Sequence, residues 1–128
     1  MLDELLTQEE RAVIDRAKAF AEEHVAPHAA RWEWERRYPL ETIQAACRAN
    51  LHTIELSKDK GGQGLSFSCK LRTFEEISKH DFAFAFALMN HHNAVTRFAR
   101  DGAPAHVARL LPRMIAGEVI GCAGLSEP

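Results

Sequence analysis

Histidine and cysteine are the residue types here best suited to chemistry, and the chain carries seven of the first and three of the second. His24 and His28 stand four apart, a spacing that can put two imidazoles on one helix face for a metal. Pro27 interrupts that helix, no Glu follows His24 as in H-E-x-x-H, and no third ligand is evident, so no metal site is expected. His91 and His92 are adjacent; on a helix they diverge by roughly 100° and cannot share one ion. They read as a polar rim on a mostly buried helix. Gly61-Gly62-Gln63-Gly64 has the composition of a phosphate cradle but lacks the Lys-Ser/Thr of a P-loop and any strand–turn–helix setting. It reads as a tight surface turn that uses positive φ. Glu75-Glu76 face different ways on a helix, one solvated and one in a salt bridge. Cys47, Cys69 and Cys122 are odd in number and outside any C-x-x-C pair, which suits buried, reduced thiols. No Ser/His/Asp or Cys/His arrangement stands out, and no catalytic group is visible.

The elements that must position these residues are helices. With 128 residues the chain has room for one core. Its 46% hydrophobic and 27% charged residues, with both signs interspersed and a net charge of -2, exclude the basic footprint of a nucleic-acid binder and a polybasic membrane anchor. No apolar run approaches membrane-spanning length. The acidic start Met1-Leu2-Asp3-Glu4 is the opposite of a signal peptide, and a cytoplasmic protein is expected.

Thr7-Gln8-Glu9-Glu10 has the form of a capping box, and Val13, Ala17, Phe20 and His24 then recur as one amphipathic stripe. Pro27 predicts a kink, with a second helical stretch from Ala29 through Trp32 toward Arg36. Pro39 fits a first helical position before Leu40, Ile43 and Cys47, and Asn50 suits the stop. A long connection, 51–65, leads to Ser66 or Ser68 as a cap, with Leu71, Phe74 and Ile77 on the buried side.

From Phe82 to Ala87 the pattern alternates with period two, the signature of a strand. Three of those residues are Ala, a strong helix former and poor strand former, and no turn signal precedes Val95. The prediction is a helix buried on most sides. Pro104 opens a further helix with Val107, Leu110, Leu111, Met114 and Ile115 on one face, closed by Gly117. Residues 119–125 read as extended, and a lone strand cannot satisfy its own backbone, so the tail is expected to need a partner outside this chain. The fold class is all-α: an up-and-down helical bundle over 1–118, almost wholly helical to 117, with a short extended C-terminal tail.

Taken in order, these segments resemble the N-terminal domain of the acyl-CoA dehydrogenase family. Thr7 to Arg11 followed by Phe20 to Pro27 is similar to that family's opening helix. Tyr38-Pro39 resembles the "FP" that starts its third helix, and Gly61 to Ser66 its "GGxGLS". Glu75-Glu76-Ile77, Arg113 to Glu118, and Gly121 through Leu125-Ser126-Glu127-Pro128 resemble "EEL/I", "RLASGE" and "GxFAL(T/S)EP".

The resemblance implies an FAD-dependent enzyme that removes the α proton of an acyl thioester and passes the β hydrogen to flavin as hydride. It implies that residues 119–128 begin a middle β domain and flavin loop, truncated here, and that the base lies beyond Pro128. No catalytic residue is then expected in this chain, which is predicted inactive alone. Ala123, Gly124, Leu125 and Ser126 are the implied flavin contacts, and Phe86, Met89, Asn90 and Asn93 the implied acyl-pocket residues. The implied partners are an acyl-CoA thioester, an electron-transfer flavoprotein or similar acceptor, and further copies of the chain in a homo-oligomer. Asn90 to Asn93 is more polar than the family's usual set, Ala123 replaces a frequent aromatic, and Arg97 stands near a usual Pro. A same-fold flavin monooxygenase or nitroalkane oxidase, and a non-catalytic helical interaction module, are the alternatives.

Overall fold

A computed structural model describes residues 2–124 and Ser126. Helix α1, Gln8–Phe20, starts at the predicted box: the Thr7 hydroxyl accepts from the Glu10 amide at 3.2 Å, and the Glu10 carboxylate accepts from the Thr7 amide at 2.9 Å. The same carboxylate accepts from the Ser66 amide at 2.9 Å, just where Ser66 caps α4, Phe67–Ser78. Glu10 thus joins two helix starts that are 56 residues apart in the chain, and this joint helps hold α1 against α4.

Between α1 and α2, Ala29–Glu35, the backbone widens into one π turn, Ala21–Val25, in which the Ala26 amide donates to the Ala21 carbonyl at 2.9 Å. The disturbance expected at Pro27 therefore begins a turn earlier, since the ring cannot donate and must be accommodated by the turn it follows. The extra residue per turn carries His24 off the stripe: Val13, Ala17 and Phe20 are buried, whereas His24 is exposed.

Helix α3, Leu40–Arg48, has Pro39 at its cap, and Asn50 takes the left-handed conformation (φ 56°) foreseen for the stop. The connection to α4 holds one 3-10 turn, Lys58–Lys60, and closes on itself through bonds from the Gln63, Gly64 and Leu65 amides to the Thr53, Leu56 and Ile54 carbonyls. Gly62 lies so close to this wall that a Cβ would fall 2.0 Å from the Leu56 oxygen.

The alternating segment is helical. Helix α5, Phe82–Asp101, is capped by the Asp81 carboxylate, which accepts from the Phe84 amide at 2.9 Å. Positions 82, 84 and 86 are about 200° apart in steps, so Phe84 turns inward while Phe82 and Phe86 come together outside. Their rings stack 6.0 Å apart, and they are 71% and 49% exposed. Most of α5 is covered, as expected, and its exposed residues, Phe82 and Phe86 among them, gather on one strip. Leu71 is corrected: it is exposed, because Lys70 and Phe74 take the buried side of α4.

Helix α6, Pro104–Ile115, opens on Pro104, and Gly117 (φ 74°) turns the chain away. α4 packs on α1 and α5, and α5 on α6 and α3. The larger core joins α1, α3, α4 and the first half of α5; a smaller one joins the second half of α5 to α6. Of the described residues 68% are helical, and among them there is no strand. The described residues of the tail are irregular, and they do not all await a partner: Val119 packs against the smaller core and Ile120 against the larger. No helix is long and apolar enough to cross a membrane.

Candidate functional site

A groove of about 700 Å³ runs between the outer half of α5, α6 and the tail, lined among others by Asn90, Asn93, Arg97, Asp101, Met114, Cys122 and Ala123. It brings together two of the four predicted pocket residues, Asn90 and Asn93, and one predicted cofactor residue, Ala123. Phe86 and Met89 lie elsewhere: Phe86 is exposed beside Phe82, and Met89 is half-buried against the larger core. Gly124 and Ser126 are exposed, and nothing stands within 4 Å of where a Gly124 Cβ would be. Leu125 is outside the described residues. Cys122 is exposed rather than buried, since the tail runs along the groove's rim here, while Cys47 and Cys69 are buried as expected.

The carboxylate in the groove lining, Asp101, is paired with Arg100 at 2.8 Å and Arg97 at 3.6 Å. Hydrogen bonding from Arg100 holds its pKa below the ordinary aspartate value, which makes it a poor proton acceptor.

Beneath the groove lie three histidines that are completely buried, His52, His91 and His92, so the pair on α5 is no rim. His91 faces α6 and the connection, and His92 faces Phe74 of α4; a quarter turn suffices because α5 is covered on both of those sides. Backbone donors fix their tautomers. The Gly121 amide donates to His91 Nδ1 at 3.0 Å, leaving the proton on Nε2, which donates to the Met114 carbonyl at 3.1 Å. The Glu55 amide donates to His92 Nε2 at 3.3 Å, leaving the proton on Nδ1 beside Asn93 Oδ1, also at 3.3 Å. Neighbouring residues thus hold opposite tautomers.

His52 stacks on His91 with centroids 5.2 Å apart and donates from Nε2 to the Ile115 carbonyl at 2.9 Å; its Nδ1 has no partner among the described residues. Cys47, His52 and His91 each bring a potential ligand atom within 4.8 Å of the others. His91 has no lone pair to give while Gly121 occupies it, and burial pushes the Cys47 thiol up to about 12, far from thiolate. His52 and His91 form a hydrogen-bonded knot under the tail. Sequence reading missed His52 altogether, because it lies in the irregular connection, where no periodicity marks a side chain as buried.

Glu75 and Glu76 are both paired, Glu75 with Arg72 at the surface and Glu76, nearly buried, with Lys79 at 2.6 Å. Gly61 and Gly64 have positive φ, as the surface-turn reading requires.

The sequence description of the acyl-CoA dehydrogenase N-terminal domain matches residues 7–118. The chain belongs to the acyl-CoA dehydrogenase family. It is 31% identical over 112 residues to isovaleryl-CoA dehydrogenase of Oryza sativa subsp. japonica, covering 85% of this chain and 27% of that protein. It is 29% identical over 128 residues to the short-chain-specific acyl-CoA dehydrogenase of Clostridium acetobutylicum, covering 99% and 34%. The fold superposes with a TM-score of 0.88 on a glutaryl-CoA dehydrogenase of Mycobacterium smegmatis in complex with FADH2, at 24% identity over 98% of this chain and 33% of that one. The chain therefore spans about a third of the length of such acyl-CoA dehydrogenases.

Proposed function

We propose that the chain serves as the N-terminal helical domain of an FAD-dependent acyl-CoA dehydrogenase, with residues 119–128 opening its β domain. The supporting observation is the groove on α5, whose lining gathers Asn90 and Asn93 from that helix and Ala123 from the tail. Asn90 and Asn93 contact the acyl group there, and Phe86 and Met89 contribute farther along the same helix. Ala123, Gly124, Leu125 and Ser126 meet the flavin through backbone groups and the Ser126 hydroxyl. The residues present suit the edge of a planar ring: Ala94 and Ala123 are small, and Gly121 lets the tail lie directly on α5 and α6. The bound flavin supplies the hydride acceptor. Donors of this stretch stabilise negative charge on it, while Phe98 and Met114 help keep water from the groove.

The paired Asp101 is unsuited to the base's work, and the reading assigns that role to a carboxylate outside this chain. The thioester is the substrate, an electron-transfer flavoprotein or similar acceptor takes the electrons, and the enzyme works as a homo-oligomer in the cytoplasm. The 128 residues alone lack a base and enough contacts to order so large a ligand.

The test is to purify the product of the full reading frame from which the chain comes, beside the 128-residue chain. The full product is expected to be yellow and to bleach anaerobically with a short or branched acyl-CoA. The short chain is expected to be colourless and without turnover. A full product that is colourless favours a non-catalytic helical module, and one that consumes oxygen with a nitroalkane favours the oxidase chemistry.

A further inference from the structure

His91 uses both ring nitrogens on backbone, and one of those bonds is to the tail. Its Nε2 proton goes to the last turn of α6 at the Met114 carbonyl, and its Nδ1 receives the Gly121 amide. His52 backs the ring in a nearly parallel stack, 7° between planes, and is itself bound to the Ile115 carbonyl. One buried imidazole therefore ties α5, the end of α6 and the tail together. Gly121 is fitted to this place. A Cβ there would lie 2.7 Å from Ala94 Cβ and 2.9 Å from Met114 Cε, so the backbone lies flat on α5 only because it carries no side chain. Among the described residues, no hydrogen bond beyond Gly121 joins the tail to the helices. Cys122 and Ala123 line the groove, and their path is set by where Gly121 is pinned.

We propose that His91 is a positioning residue for Ala123 to Ser126, fixing through the Gly121 amide where that stretch begins over the α5 groove, without touching flavin or substrate itself. The assignment rests on the reading of that stretch as a flavin contact. Its leverage comes from its place at the start of a stretch in which no described residue beyond Gly121 is hydrogen-bonded to the helices: a displacement of about 1 Å at reacting groups can cost roughly 100-fold in rate. The histidine suits the work because its acceptor nitrogen is held by a rigid ring whose other nitrogen is anchored, so the acceptor cannot swing away.

Two amide side chains separate the tether from mere packing. In His91→Asn the side-chain oxygen takes the place of Nδ1 and can still accept from Gly121. In His91→Gln the side-chain nitrogen takes the place of Nε2 and still donates to Met114, but no acceptor is left at the δ position. Amide hydrogen exchange on the isotope-labelled 128-residue chain reads the bond directly. Gly121 is expected to exchange roughly tenfold faster in the Gln variant and near the parent rate in the Asn variant, with the Val95 and Leu111 amides unchanged in both. Ring-nitrogen shifts of the parent, which need no variant to fold, are expected to show His91 protonated on Nε2; a proton on Nδ1 overturns the proposal.

The same substitutions in the full reading frame's product complete the test. His91→Gln is expected to lower kcat roughly tenfold or more with little change in KM, and His91→Asn to restore most of it. A colourless parent product refutes the flavin reading. A yellow, active parent in which Gln and Asn act alike refutes the role of His91 alone.

Discussion

Burial sets the protonation of the three inner histidines. It is the largest influence on each, pushing His52 and His92 down to about 4 and His91 in the same direction. Geometry agrees, because a proton added to either ring of the α5 pair would face the Gly121 or Glu55 amide N–H. Above pH 6.5 these rings are neutral in both folded and unfolded chains. As pH falls below 6.5 the unfolded chain takes up protons that the folded one refuses, so stability declines by about 1.4 kcal/mol per pH unit per group until the folded value near 4. Glu10 and Asp101 are held below 4.5 and 3.8, so the window from 6.5 down to 4.5 belongs to the histidines. We expect the urea midpoint to fall steeply through that window and to be level above it. A midpoint that stays constant from pH 6.5 to 4.5 would mean the rings charge freely in the fold. The pair was legible as residues on a helix, but their burial was not. A periodicity count scores histidine as polar, and what makes these two fit inside is a pair of backbone amides supplied by residues 30 and 37 positions away.

At the scale of elements, the start and stop signals were the most legible part. Thr7 and Ser66 both cap the helices they precede, and Asn50 and Gly117 both end one with positive φ. These depend on a few neighbouring atoms and so can be read locally. The second duty of Glu10 could not be read that way, since it depends on α4 arriving beside α1. Glu10→Gln leaves one side-chain oxygen for the Thr7 and Ser66 amides and sets an NH2 against the other. We expect a loss of about 1–3 kcal/mol by chemical denaturation; a loss no larger than that of an ordinary surface substitution would show that the two caps do not share the carboxylate. Gly62→Ala should be harsher, roughly 3 kcal/mol or more, because its Cβ meets the Leu56 backbone and not a side chain that could turn aside. Near-parent stability in that variant would show that the 51–65 connection rearranges without cost. Facing was the weaker inference. Leu71 is apolar and suitably spaced yet exposed, because which edge of α4 is covered depends on where α1 and α5 lie.

At the scale of the whole molecule, the bundle leaves large apolar side chains in water that its own core does not need. Phe82 and Phe86 form the clearest case: a stacked pair at the start of α5, on the side turned away from the core. Phe67 and Trp34 are also exposed. Clustered aromatic rings of this kind usually mark a surface that another protein covers. An unpaired tail could also template assembly by pairing with its own copy, but Val119, Ile120 and the Gly121 amide are engaged by the helices and leave little edge to offer. Self-association of the 128-residue chain should therefore run through the α5 aromatics. Light scattering across a concentration series is expected to show a rising mass for the parent and a monomeric one for a Phe82→Ser, Phe86→Ser double variant. Both positions are solvent-facing, so the variant should retain its helical circular dichroism, and a lost assembly cannot then be ascribed to unfolding. If parent and variant show the same mass at the highest concentration, the stacked pair is not the contact through which the 128-residue chain associates.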